Sequence, residues 1–433
     1  MNRKFTSYPV DNFIEIKTKM LNWTKQFNIF CLLDNHKYNP GPRRDDEEFE
    51  CLLAVGSFKA ISLKAGNAFD SLQHFVSEEK DWIFGHLAYD LKNEVENLAS
   101  KNFDGIQYPD LNFFVPEVVV ILKKNCLEIG VIKSDATNIY KQILSATDEH
   151  QKINRPAPQI KSRFSKAEYL KTVARLQQHI LRGDCYEVNF CQEFYLENCE
   201  IDPQDIYLRL SNLSPNPFAA FYKLNDKYLL CSSPERYLKK VGDKIFSQPI
   251  KGTAKRNLSN LAEDERNKKE LSLSKKEISE NVMVVDLVRN DLSKICVEGS
   301  VKVEELFGLY TFPQVHQMIS TVSGTINDNT SLSDILKATF PMGSMTGVPK
   351  KKVMELIEKY EKTKRGLFSG AIGYITPNGD FDFNVVIRSI LYNSTNKYIS
   401  IQAGSAITFY SDAVKEFEEC LVKIEAMKKV LEY

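Results

Sequence analysis

Apolar positions in "SKAEYLKTVARLQQHILRGD", residues 165–184, recur near the helical period, through Leu170, Val173, Leu176, Ile180 and Leu181. Ser165 and Glu168 make a capping-box pattern ahead of them and Gly183 supplies a stop, so the stretch predicts a helix. The run that follows, "CYEVNFCQEFYL", alternates instead and predicts a strand, with Glu187, Asn189 and Cys191 on one face and Tyr186, Val188 and Phe190 on the other. The face carrying Glu187 is open to two readings, a polar cavity or solvent. Further on, "KKEISENVMVVDLVRND" and "SDAVKEFEECLVKIEAM" have helical periodicity. "FSGAIGYITPNGDFDFNVVIRSI" reads as a hairpin turning at "PNGD", with Arg388 near the end of its second strand.

Polar tracts divide this pattern. "SATDEHQKINRPAPQIKSR", residues 145–163, has two prolines and no apolar period, which predicts an exposed connection between a strand-rich amino-terminal portion, 1–155, and a larger one, 156–433. "NPGPRRDDEEFE" at 39–50 predicts a long loop inside the first portion. No internal repeat is visible, and the two portions could still form one intertwined unit.

Composition narrows the function classes. The chain has 433 residues, 43% of them hydrophobic, which is ordinary globular usage. Lys+Arg and Asp+Glu are both 57, so there is no net charge to favour nucleic acid or an anionic membrane. The start lacks a signal-peptide core, and the most apolar stretch, "NFFVPEVVVIL", is short and broken by Pro116 and Glu117. These features predict a cytoplasmic protein whose partner is a small molecule or another protein. The nine cysteines include no CxxC pair and the six histidines are dispersed, so disulfide and zinc frameworks are not indicated.

Hard-oxygen chemistry is the alternative. Glu277 and Glu280 stand at i, i+3 on one predicted helix, and Glu416 and Glu419 repeat that spacing on another. Four such donors converging would suit Mg²⁺, although a solvated helix face gives the same pattern. In "FPMGSMTGVPKKKVMELIEKY", Gly343 and Gly347 precede Pro349 at a helix start whose amides could hold an anion, but the pattern is not that of a nucleotide-binding P-loop. "SQPIKGTAKR" places Lys251 between a short apolar strand and Gly252.

In this order, "GDCYEVNFCQEF", "SSPERYL", "PIKGT", "SENVMVVDLVRNDL", "FPQVHQMIS", "FPMGSMTGVPK", "VVIRSI" and "EFEECLVKIEAM" resemble the chorismate-utilising enzymes, over about residues 165–430. Within that family the lysine of "PIKGT" is similar to the aminodeoxychorismate synthase branch, where anthranilate synthases typically carry alanine. The resemblance implies an α/β (α+β) fold of the anthranilate-synthase kind, two mainly antiparallel sheets with helices on their outer faces.

It also implies a reaction. The Lys251 amine would attack ring carbon 2 of chorismate as the 4-hydroxyl leaves, and ammonia would then add at carbon 4 and displace the lysine. Lys251 is then expected to have a lowered pKa, and Glu235 to be the general acid. Glu280 and Glu419 would bind Mg²⁺ directly, with Glu277 and Glu416 acting largely through water. Gly252, Thr253, His316, Thr346, Tyr374, Arg388, Gly404 and Lys423 would hold the substrate. Glu187 stands where water-using members carry a lysine, which argues against water as nucleophile. No glutaminase domain fits in the remaining chain, so ammonia is expected from a separate glutamine amidotransferase subunit. Anthranilate synthase component I, isochorismate synthase and a catalytically silent glutaminase-binding subunit are the competing readings.

Two departures stand out. The family's glycine-rich strand end reads "AGSAITFYSD" here, with Ser405 and Ala406 where glycine is common, which questions the substrate pose. The "LLES" pattern associated with tryptophan inhibition reads "LLDN" at 32–35, so no such inhibition is expected.

Overall fold

The computed structural model describes residues 3–38, 49–147, 159–312 and 315–432. Two antiparallel sheets, one of twelve strands and one of ten, face each other, with helices packed outside them. Both sheets take strands from either side of residue 155. Ile29–Asp34 pairs with Phe218–Leu224 in the larger sheet, and Ile83–Leu87 pairs with Ala371–Ile375 in the smaller. The two expected portions are thus interleaved through shared sheets. Most of the predicted 145–163 connection and of the 39–50 loop lies outside the described residues.

One apolar cluster fills the space between the sheets, with Phe84, Phe113, Tyr222 and Phe383, and continues under the helix Lys275–Ser293. The other lies on the outer face of the larger sheet, where Phe190 and Ile399 meet Val173 and Leu176 of the helix Lys166–Leu181 and Ile424 of Ala413–Leu431. That first helix starts at the predicted capping box, both of whose hydrogen bonds are present. Leu181, however, is exposed, because it is the last helical residue before the open Gly183 turn.

The strand Glu187–Leu196 is buried on both faces rather than one. It runs between Tyr398–Ile407 and the short strand 347–348, with helices against one side and the inter-sheet space on the other. Tyr186, read as part of the strand, lies before it and is exposed. Eight of the nine cysteines are buried thiols and none is in a disulfide. Among the described residues no helix is long and apolar enough to cross a membrane.

Candidate active site

Lys251 is aimed by a break in strand pairing. Ile250–Lys255 pairs with Val315–Thr325, yet Ile250 opposes Ile319 while Thr253 opposes Gln317, so Lys251 and Gly252 together stand against Met318. Gly252 accepts the bend with a φ of +93°, where a side chain would be strained. Lys251 thereby lines a cavity of about 280 Å³, the size of a small-molecule site. Its Nζ donates to Glu187 Oε1 at 3.1 Å and stands 3.9 Å from Glu280 Oε2. Of the two readings of the Glu187 face, the polar cavity is the one observed.

The charges around Lys251 overturn one expectation. Burial by itself would lower the lysine's pKa, but the Glu187 and Glu280 carboxylates outweigh it and the pKa is raised. The amine is stored as ammonium. At Glu235, burial pushes the carboxyl up to about 7, against the pull of Lys251, so a large fraction is protonated near neutral pH.

The paired glutamates come together from their two helices. Glu277, Glu280 and Glu419 line the cavity and Glu416 is buried beside them. Burial raises Glu280 to about 7, whereas Glu419, though also desolvated, is held low by Lys423, whose Nζ is 2.6 Å away. A side chain not singled out in the sequence stands among them. Lys276 Nζ lies 3.1 Å from Glu416 and 3.8 Å from both Glu280 and Glu419. Its position in the first helical turn runs against the helix dipole, which is a signal that could have marked it. Among the described residues no three His, Cys, Asp or Glu side chains are grouped so as to hold a metal ion. Even so, Glu280 Oε1 and Glu416 Oε2 are buried without hydrogen-bond partners, as oxygens kept for a cation would be.

Of the predicted binding residues, Gly252, Thr253, Arg388, Gly404 and Lys423 line this cavity. Lys423 Nζ also donates to the Gly404 carbonyl at 2.8 Å, and an added Cβ at Gly404 would stand 2.4 Å from Cys191 Sγ. The Ser405 departure does no harm to the cavity. Its hydroxyl turns the other way, to Tyr169 at 3.1 Å, while its neighbours Gly404 and Ala406 line the cavity.

Three positions need correction. His316 points to the opposite side of its strand, where its nitrogens meet Thr311 at 3.0 Å and Asp264 at 3.1 Å, and the adjacent Gln317 faces the cavity instead. Thr346 is fully buried with its hydroxyl on the Met342 and Gly343 carbonyls, so it shapes the turn while Ser344 and Met345 line the site. Tyr374 belongs to a separate cavity of about 80 Å³ with Asp34 and Asn35 of "LLDN".

The same sequence matches the family of chorismate binding enzymes over residues 43–429. The chain belongs to that family. Among its relatives, the aminodeoxychorismate synthase component 1 of Bacillus subtilis (strain 168) is 30% identical over 389 residues, covering 87% of this chain and 80% of that protein. The Escherichia coli (strain K12) protein of the same name is 32% identical over 349 residues, 80% of this chain and 76% of its own length. The chain spans only 43% of the length of a rice relative, a probable chloroplastic aminodeoxychorismate synthase, to which it is 34% identical. In fold, the anthranilate synthase component I of Streptococcus pneumoniae TIGR4 superposes with a TM-score of 0.77 at 24% identity, covering 90% of this chain and 94% of that one. As a chorismate-binding enzyme, the protein has its lysine, its raised-pKa glutamate and its carboxylate cluster in one cavity.

Proposed function

We propose that this chorismate-binding enzyme is the component 1 of an aminodeoxychorismate synthase, which converts chorismate and ammonia to 4-amino-4-deoxychorismate on the way to para-aminobenzoate and folate. The observation that carries the reading is Lys251, held by a strand bulge inside the cavity with a carboxylate at 3.1 Å. Glu187 takes the proton that the stored ammonium must lose, and the freed amine attacks ring carbon 2. Glu235, protonated near neutrality, donates to the 4-hydroxyl, which departs as water. Arg388 and Lys423 offer cationic partners to the carboxylates of the substrate.

Glu280 and Glu419, backed by Glu277 and Glu416, are the residues to hold Mg²⁺. The ion would neutralise the cluster and chelate the ring carboxylate, and the unpartnered hard oxygens support this assignment. Ammonia would come from a separate glutamine amidotransferase subunit, in the cytoplasm.

The test is product analysis by mass spectrometry after incubation with chorismate, Mg²⁺ and ammonium. A product that keeps the enolpyruvyl group and carries an amine at carbon 4 is expected. Anthranilate with pyruvate, or isochorismate, would overturn the reading.

A further inference from the structure

The strand Glu187–Leu196 is fully paired along one edge only. Tyr398–Ile407 accompanies it from Val188 to Leu196, whereas on the other edge residues 347–348 meet Glu187 and Val188, and residues 161–162 meet Phe194 and Tyr195. In the gap between, two buried side chains take the place of a strand. Arg365 Nη2 donates to the Asn189 carbonyl at 2.8 Å, and Glu361 Oε1 accepts from the Cys191 amide at 2.9 Å. The pair is also closed on itself, with Nε donating to Oε2 at 3.0 Å and Nη2 to Oε1 at 2.7 Å, and the guanidinium lies over the Tyr89 ring, 4.5 Å from its centroid. Burying two charges is costly unless their hydrogen bonds are met, as they are here.

Arg365 reaches one element further, to the turn that follows Gly343. Its Nη1 donates to the Met345 carbonyl at 2.6 Å, while Asn189 donates from Nδ2 to the Ser344 carbonyl and from its backbone N–H to the Thr346 carbonyl, both at 2.8 Å. Every carbonyl from Ser344 to Thr346 is thus tied to Arg365 or to the residue Arg365 holds. Asn189, Ser344 and Met345 line the catalytic cavity with Glu235, and the Ser344 hydroxyl is turned to the Glu235 carboxyl, where it favours the charged form. We infer that Arg365, braced by Glu361, is a positioning residue for proton transfer: it fixes the turn against the strand and so sets Ser344 beside Glu235. The inference rests on Glu235 being the proton donor, as proposed above. A lysine at this place would keep a charge opposite Glu361, but its single ammonium cannot copy the planar fork that serves Glu361, Asn189 and Met345 together.

The test is chorismate consumption by Arg365→Lys across neutral pH, with saturating Mg²⁺ and ammonium. Turnover is expected to fall about tenfold, as for a proton donor displaced by a fraction of an ångström. The decline of kcat/KM for chorismate at high pH, which reports Glu235 in the free enzyme, should move up by about half a pH unit, because the carboxylate loses the support of Ser344 while Lys251 and Lys423, which also pull on it, stay in place. Glu361→Gln leaves the guanidinium present, should move the decline the same way by less, and guards against a folding defect in the first variant. Arg163→Lys is the control, because Arg163 holds Glu193 of the same strand at 2.8 Å with neither residue lining the cavity. It should lower the melting temperature yet keep turnover within about twofold and leave the decline where it was. Wild-type turnover in Arg365→Lys, an unmoved decline in both Arg365→Lys and Glu361→Gln, or an equal displacement in Arg163→Lys would overturn the assignment. Consumption of chorismate is read whichever product forms, so the identity of the product tests the amino-transferring function separately.

Discussion

Gly252→Ala tests the bulge without touching the lysine. At φ +93° an alanine is disfavoured by roughly 1–2 kcal/mol. Its Cβ would also stand 3.1 Å from Leu271 Cδ1 and 3.2 Å from Glu277 Cβ, so the helices bearing both must give by a few tenths of an ångström. With roughly 2 kcal/mol lost in all, and an unfolding entropy of about 2.1 cal/mol/K per residue, a 433-residue chain should melt roughly 2 °C lower. Activity should suffer far more. The strain is relieved by flattening the bulge, which moves the Lys251 amine, and a misplacement of about 1 Å at a reacting group costs on the order of 10²-fold in rate. Calorimetry and chorismate consumption with saturating ammonium measure the two effects on one preparation. A variant with wild-type turnover would refute the claim that the bulge aims the lysine, and an unchanged melting temperature would refute the strain.

Two further predictions come from the charges. Glu235 is held at about 7 against its ordinary 4.5, so the native state binds a proton that the unfolded chain releases. That costs stability progressively as pH rises from 4.5 to 7 and nothing below 4.5. Glu235→Gln should therefore be more stable than wild type at pH 8, lose this advantage by pH 4.5, and consume no chorismate; an equal stability difference at both pH values would contradict the burial argument. Lys276→Gln removes the ammonium standing among Glu280, Glu416 and Glu419. Titration calorimetry should show Mg²⁺ binding about tenfold tighter, equivalent to about 1.4 kcal/mol, with the exposed neighbour Lys275→Gln within about twofold of wild type. Equal affinities in the two variants would show that Lys276 does not compete for the site.

Local patterns in the sequence carried much of this site. The i, i+3 spacing of both glutamate pairs places them correctly because each helix keeps its register over its whole length. The helix at 166 was legible from its cap together with its apolar period. Strand phase was harder to read. Whether His316 or its neighbour Gln317 faces the cavity depends on bulges that shift the pairing of Ile250–Lys255 and Lys302–Thr311 against their common partner, and those shifts are set by tertiary contacts. Tyr374 sits on a hairpin whose inward face meets a different cavity, formed with strands from the far end of the chain. The raised pKa of Lys251 was illegible for a related reason. It depends on Glu187 and Glu280, 64 and 29 positions away, converging on one nitrogen.

The most direct measurement is peptide mass spectrometry of the protein mixed with chorismate and Mg²⁺ in the absence of ammonium. The account predicts a substrate-derived adduct on Lys251, discharged as 4-amino-4-deoxychorismate when ammonium is added, and neither adduct nor amino product from Lys251→Ala. Formation of the amino product by Lys251→Ala at the wild-type rate would contradict it.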